Sequence, residues 1–594
     1  RYWRDWSSDV CSSDLHQMPY LNQGEFYSEY GSFDVYVTLP ENYVVGATGD
    51  LMEDANSDNA AEITRMDGLN VKTRIQTDNI IPTSKKDMSF PKSSDKLKTL
   101  HYHQEKIHDF GWFADKRYHV LKDEIVLDRT GKKVTTWSLF TNNEYNLWMN
   151  SPEYIKDALK YYSNWIGDYP YNQCTAVDGT IAAGGGMEYP NVTIIGASGN
   201  AKTLETTIVH EVGHNWFYGI FGSNEREHPW MDEGINSFYE MRYNLAKYPT
   251  IEGNKSNSLS EGLGGLNKFI GLNRLDYKEA FGFAYQLSAA ENNDQPVDLH
   301  AAKYTSMNYG TIVYMKTGYV MNYLKCYLGD ETFDNCMRTY FDRWSFKHPY
   351  PTDLKNVFEE VSGKNLNWFF NDLINTSDKI DYKISSIKKD AENYELTIKE
   401  NGNLRAPYLL AGIKDGRVTS SRWIAPASRK EKVQFNCSDC DKIVIDPNND
   451  MPDVNRINNS IRTSGILKKV DPFHIDFIGR INYPIKNSFY IAPAFGYNYH
   501  NGIMGGILVH NYFLPKRKFE FAVAPMYGFK NQALAGVGNI NYTLLMNDGV
   551  IKNMVIGIDA RRFAFDSNEG DATQSSNFLK VNPRSEEHTS ELQS

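Results

Sequence analysis

The chain has 594 residues, room for several domains at the usual ~100–200 residues each. Hydrophobic residues make up 41% and charged residues 23%, the balance of folded protein and not of a disordered chain. A net charge of −11 without a basic run, and the lack of a G-x-x-x-x-G-K-S/T loop, argue against nucleic acid and nucleotides as partners, and no apolar stretch approaches the ~18 residues of a membrane-crossing helix.

In chain order, the first feature is foreign in character. DWSSDVCSSDL (Asp5 to Leu15) and RSEEHTSELQS (Arg584 to Ser594) read like the two strands of a translated sequencing adaptor. Residues 1–15 and 584–594 are therefore set apart from fold reasoning, and the native chain is expected to continue in both directions. Residues 16–147 carry short alternating or apolar runs between turns, FDVYVTLP, YVVGATGDL, KTLHYHQEKIHDFGWFA and KKVTTWSLF, the pattern of a β domain. Residues 148–377 turn helical, opening with the helix-start signal Ser151-Pro152-Glu153 and closing with two helices joined at Ser362-Gly363.

Three motifs lie inside that helical block. The first is Gly184-Gly185-Gly186-Met187-Glu188-Tyr189-Pro190, followed by the β-rich run NVTIIG. Glycines there let a backbone approach a ligand closely, and Glu188 can pair with a substrate ammonium group by a charge-assisted contact. The second is His210-Glu211-x-x-His214, with Glu233 after eighteen intervening residues. Histidines at i and i+4 share one helix face and can hold one metal ion, Zn²⁺ being the usual choice for two imidazoles and a carboxylate. Glu211 points along a different line and can accept a proton from water at the metal. The third is Tyr309 to Lys316, in which the phenol of Tyr314 can donate a hydrogen bond to an oxyanion.

From about Glu25 to about Ser377, the order and spacing of these motifs resemble the aminopeptidase N and leukotriene hydrolase family of zinc metallopeptidases. The family has H-E-x-x-H, eighteen residues and Glu, with a G-x-M-E-N strand upstream and a catalytic tyrosine downstream. The resemblance implies a truncated N-terminal β domain and a thermolysin-like, mostly helical catalytic domain with one Zn²⁺ on His210, His214 and Glu233. It implies Glu211 and Tyr314 as catalytic residues. It implies Gly185, Gly186, Met187, Glu188 and Tyr309 as substrate-binding residues, with Glu188 on the free amino terminus of a peptide. Two departures are visible: Tyr189 stands where many relatives have Asn, and Lys316-Thr317-Gly318 is one residue longer than the usual lysine–glycine pair. The activity implied is removal of N-terminal residues from peptides. An endopeptidase or processing peptidase with the same zinc chemistry, and a non-catalytic peptide-binding module, are the alternatives.

Beyond residue 377 the pattern is β again. Residues 378–450 read as a small β-sandwich, within which Cys437-Ser-Asp-Cys440 is either a local disulfide or two free thiols. Residues 451–460, rich in Asn, Asp and Pro, read as a linker. Residues 461–583 hold aromatic-rich, Gly-punctuated strands of about the length that spans an outer membrane when tilted, and resemble the C-terminal barrel of some bacterial peptidases of the family, here in part only. A soluble sheet with the same alternation is the competing reading. The expectation is thus a multidomain α+β protein that takes peptide substrates. Its place would be the cell envelope of a Gram-negative-type bacterium, periplasm or outer membrane, with the oligomeric state open.

Overall fold

The computed structural model describes residues 23–52, 71–73, 89–181, 185–249, 271–390, 393–469, 474–477, 488–512, 514–546, 551–568, 570–571 and 573–589. The adaptor-like residues 1–15 and 590–594, and Gly184, lie outside these. The described residues fall into two compact units. The first takes those of Arg1–Pro249, Asp298–Tyr309 and Leu324–Leu366; the second takes those of Thr250–Val297, Gly310–Tyr323 and Asn367–Ser594.

The first unit is β-rich at its start and helical after it. Gly31–Pro40 pairs antiparallel with Leu97–Ile107, and their inward side chains Val37, Leu39, Leu100 and Tyr102 form one buried cluster with Val45 and Ala47. A six-stranded mixed sheet follows, in the order Gly186–Met187, Val192–Ile195, Gln173–Asp178, Lys133–Phe140, His119–Val126, Val71–Thr73. This sheet crosses the boundary drawn from sequence between residues 147 and 148, because Lys133–Phe140 pairs parallel with Gln173–Asp178. Such a pairing needs a crossover, and the helix Ser151–Trp165 supplies it. That helix starts with Pro152 in its first turn, where a missing N–H costs nothing. Its buried face, Tyr154, Ile155, Ala158, Leu159 and Tyr162, follows the helical repeat.

The helix Ala201–Gly213 packs on Ser151–Trp165, starting where the Asn200 side chain accepts from Thr203 N–H at 3.0 Å. Its neighbour, Ile235–Lys247, is preceded by one π turn, Trp230–Gly234. Rings of Tyr162, Trp216, Phe217 and Tyr239 stack between these elements, with centroids 5.3 Å apart for Tyr162–Trp216 and 5.4 Å for Phe217–Tyr239. Gly213 is required by this packing: a Cβ there would stand 2.1 Å from Asn236 Oδ1 and 2.6 Å from the Tyr162 ring.

In the second unit, residues 382–462 make two small sheets, of three and four strands, as a sandwich requires. Their inner rings meet, Tyr382 lying 4.6 Å from Tyr408, and Cys437 and Cys440 are joined as a disulfide. The stretch read as a linker is fastened in place. Asp453 is fully buried and accepts from Tyr382 N–H at 2.9 Å, and the Arg456 guanidinium bonds the Asp446 carboxylate. Polar composition misled here because its carboxylates accept buried backbone donors instead of water.

The remaining strands form one seven-stranded sheet in sequence order, His474–Phe477, Ser488–Asn498, Gly502–His510, Phe519–Gly528, Ala533–Leu545, Ile551–Ser567 and Ser575–Thr589. All neighbours are antiparallel except the first pair. The last strand runs through Arg584–Thr589, inside the segment set apart from sequence; a free sheet edge pairs with an extended chain whatever its origin. No helix among the described residues is long and apolar enough to cross a membrane, which says nothing of strands.

Candidate metal centre and catalytic site

The helix Ala201–Gly213 and its C-cap carry His210, Glu211 and His214, and the π turn carries Glu233. Three ligand atoms converge: His210 Nε2 and His214 Nε2 are 3.2 Å apart, and Glu233 Oε2 lies 3.2 Å from the first and 3.3 Å from the second. Tetrahedral zinc with bonds of about 2.0–2.1 Å places its ligands roughly 3.3–3.4 Å from one another, so the spacing fits one ion.

The far side of each imidazole fixes its tautomer. His210 Nδ1 is 2.7 Å from Glu240 Oε2, and His214 Nδ1 is 2.6 Å from Asp232 Oδ1. A carboxylate there can keep the proton on Nδ1 and turn the Nε2 lone pair toward the point where the three atoms converge. The same carboxylates set the electrostatics of the cluster. Burial disfavours a charged His210, but hydrogen bonds to Glu233 and Glu240 outweigh it and push its pKa up to about 10. His214 rises as well, against burial, mainly through Asp232. Glu233 falls below the usual carboxylate range despite burial, drawn down by His214 and His210. The cluster demands positive charge, and a divalent cation supplies it without protonating the ligands.

Glu211 lies beside the three ligands. Burial is the largest cause that holds its pKa up to about 7, with Glu233 and Glu240 adding to it and both imidazoles opposing. Gly186 of the neighbouring edge strand packs directly on it: a Cβ at Gly186 would stand 2.3 Å from Glu211 Oε1 and 2.5 Å from its Cγ. The close approach read from the glycine run is therefore to the Glu211 side chain. Gly185 is exposed, its carbonyl accepts from Gly196 N–H at 2.9 Å, and a Cβ added there would come no nearer than 3.6 Å to Thr207. Met187 pairs with Ile194, and its carbonyl accepts from the Thr193 hydroxyl at 2.9 Å.

Glu188 is buried and converges with Glu211 and His214, their ligand atoms all within 4.8 Å of one another. This second group shares His214 with the first. The geometry favours the first as the metal set, since both Nε2 lone pairs and Glu233 close on one point. Glu188 and Glu211 are then left facing whatever binds beside the ion. Glu188 Oε1 accepts no hydrogen bond, and burial holds its pKa well up. Glu25, far away in sequence, joins the same cluster. Its carboxyl is pushed up to about 8, by burial first and by Glu233 second, and its Oε2 is likewise buried without a partner.

Tyr309 belongs to the first unit, and its hydroxyl accepts from Gly24 N–H at 3.1 Å and approaches Glu225 Oε1 at 3.4 Å. Tyr314 belongs to the second unit, half-buried within the π-helical turns Tyr309–Lys316. Sequence reasoning passed over Glu25, Glu225, Asp232 and Glu240. A signal existed for two of them: Asp232 adjoins Glu233, and Glu240 lies seven residues on, two helical turns along the same face.

Residues 152–373 match the Peptidase family M1 domain. The chain is 26% identical over 171 residues to Aminopeptidase M1-B of Oryza sativa subsp. japonica, which covers 29% of this chain and 17% of that protein. It is 26% identical over 202 residues to Leukotriene A-4 hydrolase of Xenopus laevis, covering 34% of this chain and 29% of that protein. These matched stretches thus span less than a third of either relative's length. Among solved structures, Legionella pneumophila aminopeptidase A in complex with aspartic acid aligns at a TM-score of 0.49 and 12% identity, over 70% of this chain and 43% of that one.

Proposed function

We propose, on the premise that this chain carries a peptidase family M1 domain, that it is a zinc-dependent aminopeptidase that removes N-terminal residues from peptides. The observation that carries the reading is the pairing of a three-ligand centre with two buried carboxylate oxygens, Glu25 Oε2 and Glu188 Oε1, that lack partners. A buried unpaired carboxylate is costly, and a substrate ammonium is the cation that would satisfy both. An endopeptidase would have no such use for them.

His210, His214 and Glu233 would hold the zinc. The ion, when bound, supplies Lewis acidity to water and to the scissile carbonyl. Glu211 takes the proton from the attacking water and delivers it to the leaving amine, the two halves of general base and general acid work. Asp232 and Glu240 keep the imidazoles aimed. Glu188 and Glu25 grip the amino terminus, which sets the cut one residue in. The edge strand Gly186–Met187 keeps Glu211 in place and offers backbone to the peptide. Tyr314 is assigned the oxyanion by its match to the family's catalytic tyrosine.

We further propose that the seven-stranded sheet is part of an outer-membrane barrel, which would place the protein in a bacterial cell envelope. Its side-chain pattern supports this. Phe495, Tyr497, Ile503, Ile507, Tyr527, Ile540, Tyr542, Ile556 and Ile558 are exposed on their strands. Glu520, Asn541, Thr543 and Asn553 are buried, beside a small apolar cluster of Met504, Met526 and Ala535. A sheet with apolar groups outward and polar groups inward is the arrangement of a lipid-facing wall. Heat-modifiable gel migration would support the barrel, and a detergent-independent soluble monomer would refute it.

The deciding experiment compares free-amino aminoacyl substrates with amino-blocked copies, for the wild type and Glu211→Gln, with zinc measured in both. Cleavage of the free-amino set alone, lost in the variant with zinc retained, is expected. Cleavage of blocked peptides would move the protein to the endopeptidase reading. Bound zinc with no turnover would favour a binding module.

A further inference from the structure

Glu225 takes no part in the chemistry above, yet it is fully buried within reach of the acidic cluster. Burial holds its pKa well up, and Asp232, Glu25 and Glu233 add to the effect. A carboxyl in that place is expensive unless its oxygens do specific work. They do: Glu225 Oε2 accepts from the backbone N–H of Glu25 and of Phe26, each at 2.8 Å. The Tyr309 hydroxyl, 3.4 Å from Glu225 Oε1, accepts from Gly24 N–H at 3.1 Å. Arg226 Nη2 donates to the Glu25 carbonyl at 3.3 Å. Three consecutive amides, Gly24 to Phe26, thus end on side chains from two segments some 200 and 285 residues away. Gly24 itself sits at φ +81°, where a Cβ would stand 2.6 Å from that of Ala301, so the strap is also pressed close.

We propose that Glu225 is a positioning residue that clamps the Gly24–Phe26 strap, with Tyr309 as the second jaw, so that the Glu25 carboxylate stands in the amine site. The inference rests on the aminopeptidase reading. It also reassigns Tyr309, whose hydroxyl holds the strap that presents Glu25.

The test is a double-mutant cycle in the full-length zinc-loaded protein. Glu225→Ala removes both acceptor oxygens, and Glu225→Gln keeps a carbonyl oxygen that can accept both N–H groups. An interaction that binds ground state and transition state alike appears in KM and leaves kcat alone. Glu225→Ala is expected to raise KM for free-amino substrates by about tenfold or more, with kcat and zinc content held. Glu225→Gln should recover most of that loss. In a Glu25→Ala background, Glu225→Ala should add less than about twofold, because coupled residues are not additive. Should Glu225→Ala not fold, Glu225→Met keeps the volume and removes the acceptors.

An equal KM effect in both backgrounds, an effect confined to kcat, or a Glu225→Gln as impaired as Glu225→Ala would each overturn the clamp. Hydrogen exchange separates this from failure of the functional reading. The amides of Glu25 and Phe26 should lose protection in Glu225→Ala and keep it in Glu225→Gln, whether or not free-amino substrates are cut. Unchanged protection in Glu225→Ala would sink the clamp by itself.

Discussion

Replacing Asp232 by Asn isolates what its charge does for the metal. Asp232 Oδ1 is 2.6 Å from His214 Nδ1, and both side chains are 1% exposed. An Asn side chain keeps an oxygen that can accept from Nδ1–H, so the ring stays aimed and only the charge is lost. Removing such an orienting partner typically costs 10–100-fold in metal affinity, about 1.4–2.7 kcal/mol. The equivalent pair on the other ligand, His210 with Glu240, is 14% and 11% exposed, so water screens it more. Asp232→Asn should therefore fall near the 100-fold end and Glu240→Gln near the tenfold end. Competition for zinc between each variant and a chromophoric chelator, near neutral pH, gives the constants, with circular dichroism to check the fold. An Asp232→Asn affinity within about threefold of wild type, or a larger loss in Glu240→Gln, would refute the reasoning.

Three further outcomes are expected. Gly186→Ala forces Glu211 aside, since the new Cβ would lie 2.3 Å from its Oε1. Because misplacement of about 1 Å at the chemistry can cost ~10²-fold, kcat should fall at least tenfold with zinc content and melting temperature nearly unchanged; full activity would show that Glu211 relocates freely. Chelation should abolish turnover and lower the melting temperature, and added zinc should restore both, since a ligand at about 100 times its Kd stabilises by ~2.7 kcal/mol; a melting temperature blind to chelator would count against a metal held by the folded state. The buried Lys316 amine, 3.7 Å from Asp294, has its pKa lowered by burial from 10.5 to about 8. Below that value it is charged in folded and unfolded chain alike. Between about 8 and 10.5 only the unfolded chain keeps the proton, so stability should rise with pH across that window. Denaturation midpoints of wild type and Lys316→Met against pH would show the rise in the first and its loss in the second, and equal slopes would sink it.

The three residues proposed as metal ligands could be brought together from sequence because their geometry is local. His210 and His214 share a helix face by spacing alone, and Glu233 heads the next helix. Glu25 and Glu225 were not legible, because nothing near a lone glutamate says that it is buried; only a contact across 200 residues does so. The glycine run announced a close approach without naming its partner, which is the Glu211 side chain. The same limit shaped the fold. Alternation marked the strand Lys133–Phe140 but not the fully buried Gln173–Asp178, its parallel partner, so a boundary drawn on helix content cut a continuous sheet. Of Ser575–Thr589, residues 575–583 lie in the stretch read as β and 584–589 in the segment set apart, while Asp453 escaped because a linker-like stretch hid a carboxylate that accepts buried amides. In each case the missing information is the identity of a distant partner: the amides that Glu225 holds across 200 residues, the strand with which Lys133–Phe140 pairs, and the backbone N–H that Asp453 accepts.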